Sequence, residues 1–356
     1  MSGNGWLYAA SRRLLFALLI GIPAVTAGFA WAQQSTIDSA PVGGRESWTM
    51  NGFEVLHVQG DVYMISGDGG NIAVQVGENV IVVDSGIESK SKDLLAVIEK
   101  LTSKHILFVI NTSDDTDHYG GNETLSKAGW ALPDAGLNPL RQDTQGALAM
   151  GASILAHNNI AARMSETHGK EPPIRSGLQP TDTYDNEDWK IYNGEAVFLN
   201  HATAHTDGDT FVLFRKSDVV CAGDIFTLES YPVLREEKGS SINGTIDALN
   251  RIIDIMVAMQ GEEGGSYVIP GHGHIGDRND VVNYRDMVTI IRDRIDHLIK
   301  KGMTLEQVQA AKPTLDYDPL FAGKSTSWTK ENFVEAVYRD LSKSAKSQGK
   351  ASGGGQ

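Results

Sequence analysis

The stretch that organises this chain is NTSDDTDHYGGN, residues 111–122. It follows an apolar run at residues 106–110 that predicts a buried β-strand, and two glycines lead from it into a helical segment at residues 123–128. Three carboxylates and one imidazole therefore follow a strand end within five residues. Such a cluster is typical of either a metal site or a solvated acidic turn, and the rest of the chain decides between them.

The composition is that of an ordinary globular protein with an acidic surface. The 356 residues leave room for one large domain or two smaller ones. A formal net charge of −14 argues against a nucleic-acid or anionic-membrane partner, because phosphate binding requires clustered lysine and arginine. The single cysteine, Cys221, excludes an internal disulfide and lies in an apolar run, where it is expected to be a small buried side chain. We therefore expect a small-molecule substrate.

The N-terminus resembles a targeting segment. Arg12 and Arg13 precede a mostly apolar run at residues 14–27, and Ala30-Trp31-Ala32 fits a signal-peptidase site. We predict a signal peptide at residues 1–32, a periplasmic or secreted mature protein, and no stable membrane insertion after cleavage; a retained anchor is the alternative. The arginine pair faintly resembles a twin-arginine signal, which would imply export of a folded protein.

The remaining chain divides into four predicted segments. Residues 33–49 are polar and aperiodic and predict a linker. Residues 50–280 carry the strand and helix patterns of the main domain. An apolar helical stripe and two further helical patterns predict a C-terminal helical extension at residues 281–344, followed by a disordered tail at residues 345–356.

An internal echo within the main domain predicts how its sheets are arranged. A β-hairpin at residues 72–83 ends in Asp84, and a second at residues 210–222 is followed by Asp224. Helical patterns follow both, at residues 89–101 and 244–260. The repeated unit predicts two similar halves packed sheet on sheet, with helices outside.

Metal-capable side chains stand at four predicted strand ends. They are the loop at residues 113–118, His205, Asp224 and His272. Loops at one edge of a scaffold are where sites are built, and catalytic metal sites take histidine and carboxylate ligands. The metal site thereby becomes the favoured interpretation of the opening stretch.

Taken together, these motifs resemble those of the metallo-β-lactamase-fold hydrolase superfamily. The resemblance covers about residues 50–280, and the C-terminal helices are similar to those of a bacterial branch of that superfamily. It implies an α/β fold, the four-layer αβ/βα sandwich of two mixed β-sheets with helices outside. The five motifs, in order, are VVDSG at 82–86, NTxxxxDHxGGN at 111–122, AHTDGD at 204–209, AGD at 222–224 and IPGHG at 269–273.

The resemblance implies an intact second metal site. Its ligands would be Asp117, His118 and His272, with Asp224 bridging to a first metal. In the superfamily two metals hold a hydroxide as nucleophile, and one of them polarises a carbonyl. Asp117 would both bind metal and orient that hydroxide, which makes it the predicted catalytic residue.

The first metal site departs from the superfamily pattern. The signature reads HxHxDH, and its first two histidines fall here on Ser113 and Asp115. Only His205 and the bridging aspartate remain, with Asp115 as a candidate carboxylate ligand. A neutral serine hydroxyl is a poor zinc ligand, so Ser113 is assigned a supporting role, as are Asp84, His201 and His274. The expected cofactor is zinc, as one or two ions, with manganese or iron as alternatives because Asp115 offers a harder donor.

These expectations leave three function classes open. The first is an exported metal-dependent hydrolase that opens an amide, lactone, ester or thioester, with a β-lactam ranked lower because of the altered site. The second is a degenerate relative that binds a ligand or partner without turnover, which the changes at Ser113 and Asp115 favour. The third is a metal carrier or redox protein that uses harder metals.

Overall fold

The computed structural model describes residues 46–130, 151–167, 172–261, 264–322 and 328–352, with only the backbone for 344–352. All of these belong to one unit of the chain, which extends from Gly43 to Gln356. The predicted signal peptide, most of the predicted linker and the last four residues of the predicted tail lie outside the described residues. No helix in the described ranges has the length and apolar character that crossing a membrane requires.

Two mixed β-sheets form the centre of the fold. The first sheet has eight strands that neighbour one another in chain order. They are β1 (Ser47–Met50), β2 (Phe53–Gln59), β3 (Val62–Gly67), β4 (Gly70–Val76), β5 (Val80–Val83), β6 (Ile106–Ile110), β7 (Ser153–His157) and β8 (Asp182–Tyr184). The second sheet has six strands in the order β14-β13-β12-β11-β10-β9. They are β9 (Glu187–Tyr192), β10 (Glu195–Ala202), β11 (Asp209–Phe214), β12 (Val219–Gly223), β13 (Tyr267–Pro270) and β14 (Gly276–Asp277).

The helices follow from the parallel strand pairs. β5 to β8 run parallel to one another, as do β12 and β13, and parallel neighbours require a crossover connection. The crossovers contain α1 (Ser91–Leu101), α2 (Thr116–Tyr119), α3 (Asn122–Ala128), α4 (Asn158–Ser165) and α5 (Ile242–Ile255). The chain then ends in α6 (Arg278–Lys300), α7 (Leu305–Ala310), α8 (Asp318–Phe321) and α9 (Lys330–Ser352).

Strand β5 illustrates how the layers form. Because side chains alternate along a strand, Val80 and Val82 pack on the outer face against Leu94 of α1. Ile81 and Val83 face the other way and join apolar residues of β11 and β12 in a core between the sheets. A strand buried on both faces is apolar throughout, as the sequence of β5 is. The predicted four-layer sandwich of helices, two sheets and helices is confirmed.

The C-terminal helices share a core with the second sheet. Leu249 of α5, Val288 of α6 and Phe333 of α9 are fully buried in one apolar cluster that includes side chains of β11 and β12. The helical stripe predicted for α6 is the face that enters this cluster. The extension predicted at residues 281–344 therefore forms part of the outer helical layer over the second sheet.

The predicted linker was placed too far along the chain. Strand β1 begins at Ser47, inside residues 33–49, and pairs with β2 in antiparallel register. Its side chains alternate between exposed and half-buried, and Trp48 and Met50 pack against the core beneath the first sheet. Four residues are too few to display that alternation clearly in a sequence.

Two predicted helix ends also differ from the structure. Helix α5 ends at Ile255 and not at residue 260, because Met256 takes an extended conformation with φ −83° and ψ 136°. Helix α9 continues to Ser352, into the segment predicted as a disordered tail at residues 345–356. The internal echo is borne out: the β4–β5 hairpin leads to α1, and the β11–β12 hairpin leads to α5.

A buried carboxylate joins the two sheets near the start of β5. Glu195 of β10 accepts hydrogen bonds from the backbone N–H groups of Lys216 and Ser217, at 2.9 and 3.0 Å. It also accepts from Ser217 Oγ and from Gln75 Nε2 of β4. Because Gln75 pairs with Ile81, this network lies at the end of β5 that is farther from Asp84.

Candidate metal centre

The candidate metal ligands come from strand ends at one edge of the sandwich. Asp84 follows β5, and the loop at residues 111–118 follows its parallel neighbour β6. In the second sheet, Asp224 follows β12 and His272 lies just after the parallel β13. Carboxyl ends of parallel neighbours lie at the same sheet edge, so the two halves of the fold bring their polar loops together there.

Asn71 of β4 fixes the loop of the second sheet to the first. Its Nδ2 donates to the carbonyl oxygens of Pro270 and Gly273, at 2.9 and 2.8 Å, and its backbone N–H donates to Gly271 O at 2.9 Å. Gly271 is required here because a Cβ at this position would collide with the Asp224 carboxylate. A glycine thus lets the Asp224 side chain lie directly against the backbone.

Asp84 holds His118 in one orientation. The Asp84 backbone is left-handed, with φ 63°, an uncommon conformation for a residue with a side chain. Its Oδ1 accepts from Thr112 N at 2.8 Å, and its Oδ2 accepts from Thr112 Oγ1 at 2.6 Å and from His118 Nδ1 at 2.8 Å. An ionised carboxylate only accepts, so Nδ1 carries the proton and Nε2 is the atom left to bind a metal.

Asp117, His118 and His272 form one group of potential ligands, whose donor atoms lie within 4.8 Å of one another. His272 Nε2 is 3.1 Å from Asp117 Oδ2. Asp224 faces this group, with Oδ1 3.6 Å from His272 Nε2 and Oδ2 3.3 Å from His118 Nε2. The residues predicted for the second metal site are thus brought together.

One atom of this group and one atom of the facing Asp224 are buried without a hydrogen-bond partner among the described residues. They are His118 Nε2 and Asp224 Oδ1, and the 3.3 Å approach of Asp224 to His118 does not have hydrogen-bond geometry. An unsatisfied buried polar atom costs about 1–3 kcal/mol, so its persistence calls for an explanation. Imidazole nitrogen and carboxylate oxygen are the donors that zinc takes in proteins, and this donor set fits such an ion.

The ionisation of this group favours a cation. Burial would raise the pKa of Asp224, but the charges of His118, His205 and His272 together outweigh burial and lower it. Burial would lower the pKa of His118, but the charges of Asp84 and Asp224 raise it well above the ordinary value. The hydrogen bond with Asp117 raises the pKa of His272. Ionised carboxylates thus surround imidazoles whose protons a divalent ion would displace.

A second group consists of Asp115, His205 and Asp224, again with donor atoms within 4.8 Å of one another. His205 Nε2 is 3.2 Å from Asp115 Oδ2 and 3.6 Å from Asp224 Oδ2. Its Nδ1 donates to Val233 O at 2.8 Å, which orients the ring. Ser113 lies buried in the same loop, and its Oγ has no hydrogen-bond partner among the described residues.

Two cations already occupy the oxygens of Asp115. Arg235 donates to Oδ2 through Nε at 3.0 Å and through an η-nitrogen at 2.7 Å, and Lys238 Nζ donates to Oδ1 at 2.6 Å. Burial would raise the pKa of Asp115, but the hydrogen bond with His205 and the contact with Lys238 lower it far below the ordinary value. As it stands, this carboxylate does not fit a metal-ligand role.

No sequence motif predicted that Arg235 and Lys238 would contact the Asp115 loop. Arg163 of α4 is a third basic residue at the loop. Its Nε and an η-nitrogen donate to Asp114 at 2.9 and 3.0 Å, and it also pairs with Asp207. Lysine and arginine are ordinary surface residues, and Arg235 is separated from Asp115 by 120 positions. The sequence carries no spacing signal that would have linked them.

The two histidines predicted to support the site have different surroundings. His201 Nε2 is 2.8 Å from the carbonyl oxygen of Asp207, and its ring stacks on His157 at a centroid distance of 3.8 Å. It therefore supports the loop that carries His205. His274 is exposed and lies beside Glu229, with Nδ1 3.6 Å from Oε1.

A cleft of about 730 Å³ opens beside this centre. It lies between the β1–β2 and β3–β4 turns, with Met50, Phe53, Ser66 and Asn71 among its lining residues, and reaches His272. The His272 side chain is 46% exposed, and that of Asp117 is 27% exposed. The ligand group therefore has one wall that a small molecule can approach.

Comparisons with known proteins agree with this architecture. A sequence model described as the metallo-beta-lactamase superfamily matches residues 58–272, more than half of the chain. The chain is 20% identical to "Metallo-beta-lactamase type 2" of Bacillus cereus over 219 residues, which cover 61% of this chain and 72% of that protein. The solved structure of the inverting sec-alkylsulfatase Pisa1 from Pseudomonas sp. aligns with a TM-score of 0.57 at 14% identity, over 80% of this chain. The match spans about half of that sulfatase, 49%. Because the family model matches more than half of its residues, this chain belongs to the metallo-β-lactamase superfamily.

Proposed function

We propose that this chain is an exported metal-dependent hydrolase that opens an amide, lactone, ester or thioester bond. The metal, zinc in this proposal, would be held by Asp117, His118, His272 and Asp224. The observation that carries the proposal is the pair of buried, unpartnered atoms His118 Nε2 and Asp224 Oδ1, which face the other two donors. Membership in a superfamily of metal-dependent hydrolases supports it.

A bound divalent ion would supply a Lewis acid and make a water molecule more acidic. The chain contributes the arrangement around that ion. Asp84 keeps the His118 ring in the tautomer that presents Nε2. Asp117 has a pKa that burial would raise, but the hydrogen bond with His272 lowers it, so its carboxylate is ionised at neutral pH. Its side chain is 27% exposed and can accept a hydrogen bond from the attacking water and so orient it.

The cleft beside His272 is the proposed substrate site. Its volume of about 730 Å³ suits a small molecule, and its lining mixes polar and apolar side chains. One relative is named a metallo-β-lactamase, and one solved neighbour is a sec-alkylsulfatase. A β-lactam and a secondary alkyl sulfate therefore join lactones, esters and thioesters in the substrate panel.

The test combines metal content with turnover. The mature protein is purified, its zinc, manganese and iron are quantified per chain, and the substrate panel is run with each metal added. We expect bound zinc and hydrolysis of at least one substrate, with both lost in His272→Asn and both reduced in Asp117→Asn, because Asp117 is a proposed ligand as well as the group that orients the water. His297→Asn, an exposed histidine on α6, is the matched control that should change neither. Absence of both bound metal and turnover would refute the proposal.

One observation favours the second function class, a binding protein without turnover. The histidines of the superfamily signature are replaced by Ser113 and Asp115, and Asp115 is engaged by two basic side chains. Zinc bound at one ion per chain with no hydrolysis across the panel would support this class. Substrate-like ligands that then shift the melting temperature of the zinc-loaded protein would identify what it binds.

Export is proposed on the sequence pattern at residues 1–32. An apolar run behind Arg12 and Arg13, with Ala30-Trp31-Ala32 at its end, supports removal of a signal peptide and action in the periplasm or outside the cell. Intact mass measurement of the protein from a bacterial periplasmic fraction tests this. A new N-terminus at Gln33 is expected, and an uncleaved chain in the cytoplasm would contradict it.

A further inference from the structure

We propose that Arg235 and Lys238 take the place of the first metal ion, so that this chain binds one divalent ion and not two. The inference rests on the proposed function for the position of the single ion, the group of Asp117, His118 and His272. It concerns the other group, in which Asp115 was the candidate ligand predicted from the sequence.

First, both oxygens of the Asp115 carboxylate already accept hydrogen bonds from basic side chains. Its Oδ2 accepts two hydrogen bonds from the Arg235 guanidinium, and its Oδ1 accepts one from Lys238 Nζ at 2.6 Å. Only 11% of the Asp115 side chain is exposed. A metal ion would have to compete with these fixed cations for the lone pairs of both Asp115 oxygens.

The second step is that the cations are positioned by backbone contacts with the site itself. The backbone N–H of Arg235 donates to His205 O at 3.0 Å, and Asp207 N donates to Lys238 O at 2.9 Å. Lys238 Nζ also donates to the carbonyl oxygen of Asp114 at 3.1 Å. The segment that carries both basic residues is therefore bonded to the His205 loop and the Asp115 loop.

The third step is charge balance. Asp114, Asp115 and Asp207 supply three carboxylates, and they are paired with the three cations Arg163, Arg235 and Lys238. A divalent ion placed between Asp115 and His205 would stand beside two positive charges that already neutralise its ligand. The arrangement therefore opposes a second ion both by ligand occupancy and by like-charge repulsion.

Fourth, few other side chains remain that could bind a first metal ion. Ser113 stands where the superfamily signature has its first histidine, and a neutral hydroxyl does not match imidazole as a zinc ligand. Asp224 also faces His118 and His272, so it is shared with the other group. His205 alone is left as an unshared donor, which is too few for a bound zinc.

Zinc stoichiometry tests this directly, by isothermal titration and by elemental analysis after desalting. Wild-type protein is expected to bind one ion, and the double variant Arg235→Met with Lys238→Met is expected to gain a second, because Asp115 is freed. The matched control is the double variant Arg294→Met with Lys330→Met, which removes the same residue types at a different place. Arg294 pairs with Asp316 and Lys330 with Asp318, so this variant should still bind one ion. Thermal unfolding checks that each variant folds. If the double variant does not fold, the single variants Arg235→Met and Lys238→Met are titrated in its place.

The outcomes separate this inference from the proposed function. Two ions on the wild-type protein, or one ion on a folded double variant, would overturn the inference and leave the proposed metal site intact. A wild-type protein that binds no metal and shows no turnover would refute the proposed function. In that case the replacement of the first ion by Arg235 and Lys238 is supported if the double variant gains one ion, and it is overturned if the variant gains none.

Discussion

Replacing Asp84 by asparagine should reverse the tautomer of His118. Backbone N–H of Thr112 can only donate, so the asparagine must keep its oxygen at the Oδ1 position, 2.8 Å away. Its NH₂ group then takes the Oδ2 position, 2.8 Å from His118 Nδ1. There it donates a hydrogen to Nδ1, which moves the ring proton to Nε2, the atom proposed to bind metal. The Thr112 hydroxyl, at 2.6 Å, can turn to accept from the same group.

The expected loss of zinc affinity is about 10- to 100-fold. To bind the ion, His118 must return its proton to Nδ1, where it would face an amide N–H in a buried site. Leaving that donor unsatisfied costs about 1–3 kcal/mol. Loss of the partner that orients a metal-binding histidine typically weakens metal affinity by about 10- to 100-fold, and this loss agrees with the energy of about 1–3 kcal/mol.

Zinc titration of the chelator-treated protein measures the effect. Asp277→Asn is the matched control, because Asp277 caps α6 through Asn279 N and Asp280 N and asparagine caps a helix equally well. Long-range nitrogen–proton correlation spectra report the His118 tautomer independently of metal. A zinc affinity for Asp84→Asn within about threefold of wild type would refute the reasoning about the tautomer.

Three further predictions concern the site and the fold. Gly271→Ala places a Cβ against the Asp224 carboxylate, so zinc affinity should fall by at least about tenfold in the same titration; an unchanged affinity would mean that Asp224 has room to shift. Zinc affinity should weaken as pH falls from about 8 to about 6, since the hydrogen bond with Asp117 raises the pKa of His272 and the proton then competes with the ion; a flat profile would contradict this. Glu195→Ala leaves four donors without their acceptor, and urea denaturation should give an unfolding free energy lower by about 3 kcal/mol with zinc affinity unchanged; a loss below about 1 kcal/mol would contradict it.

The sequence was most informative where burial imposes a pattern. Apolar runs such as β5 and β6 predicted strands because a strand buried on both faces has to be apolar. The echo of hairpin, aspartate and helix predicted two packed halves because each aspartate ends a central strand. The four-residue strand β1 and the one-turn helix α2, which contains Asp117 and His118, were missed because they are too short to show a period.

The sequence was least informative about which basic side chains would compete with a metal ion for the Asp115 carboxylate. Motif order brought Asp115 and His205 to the same place, and the structure puts them 3.2 Å apart. The sequence contained no indication that Arg235 and Lys238 would reach Asp115, because backbone contacts position their loop and no spacing rule describes such contacts. Long-range ion pairs depend on tertiary geometry, which periodicity and propensity do not encode.

The division of the ligands between the sheets has a consequence for stability. Asp117 and His118 follow a strand of the first sheet, whereas Asp224 and His272 follow strands of the second. An ion that they share would therefore be a reversible cross-link between the halves of a chain whose single cysteine excludes an internal disulfide. By mass action, free zinc at a thousand times its dissociation constant adds about 4 kcal/mol to the unfolding free energy. The zinc concentration of the compartment would then set how long the sandwich survives heat and proteases.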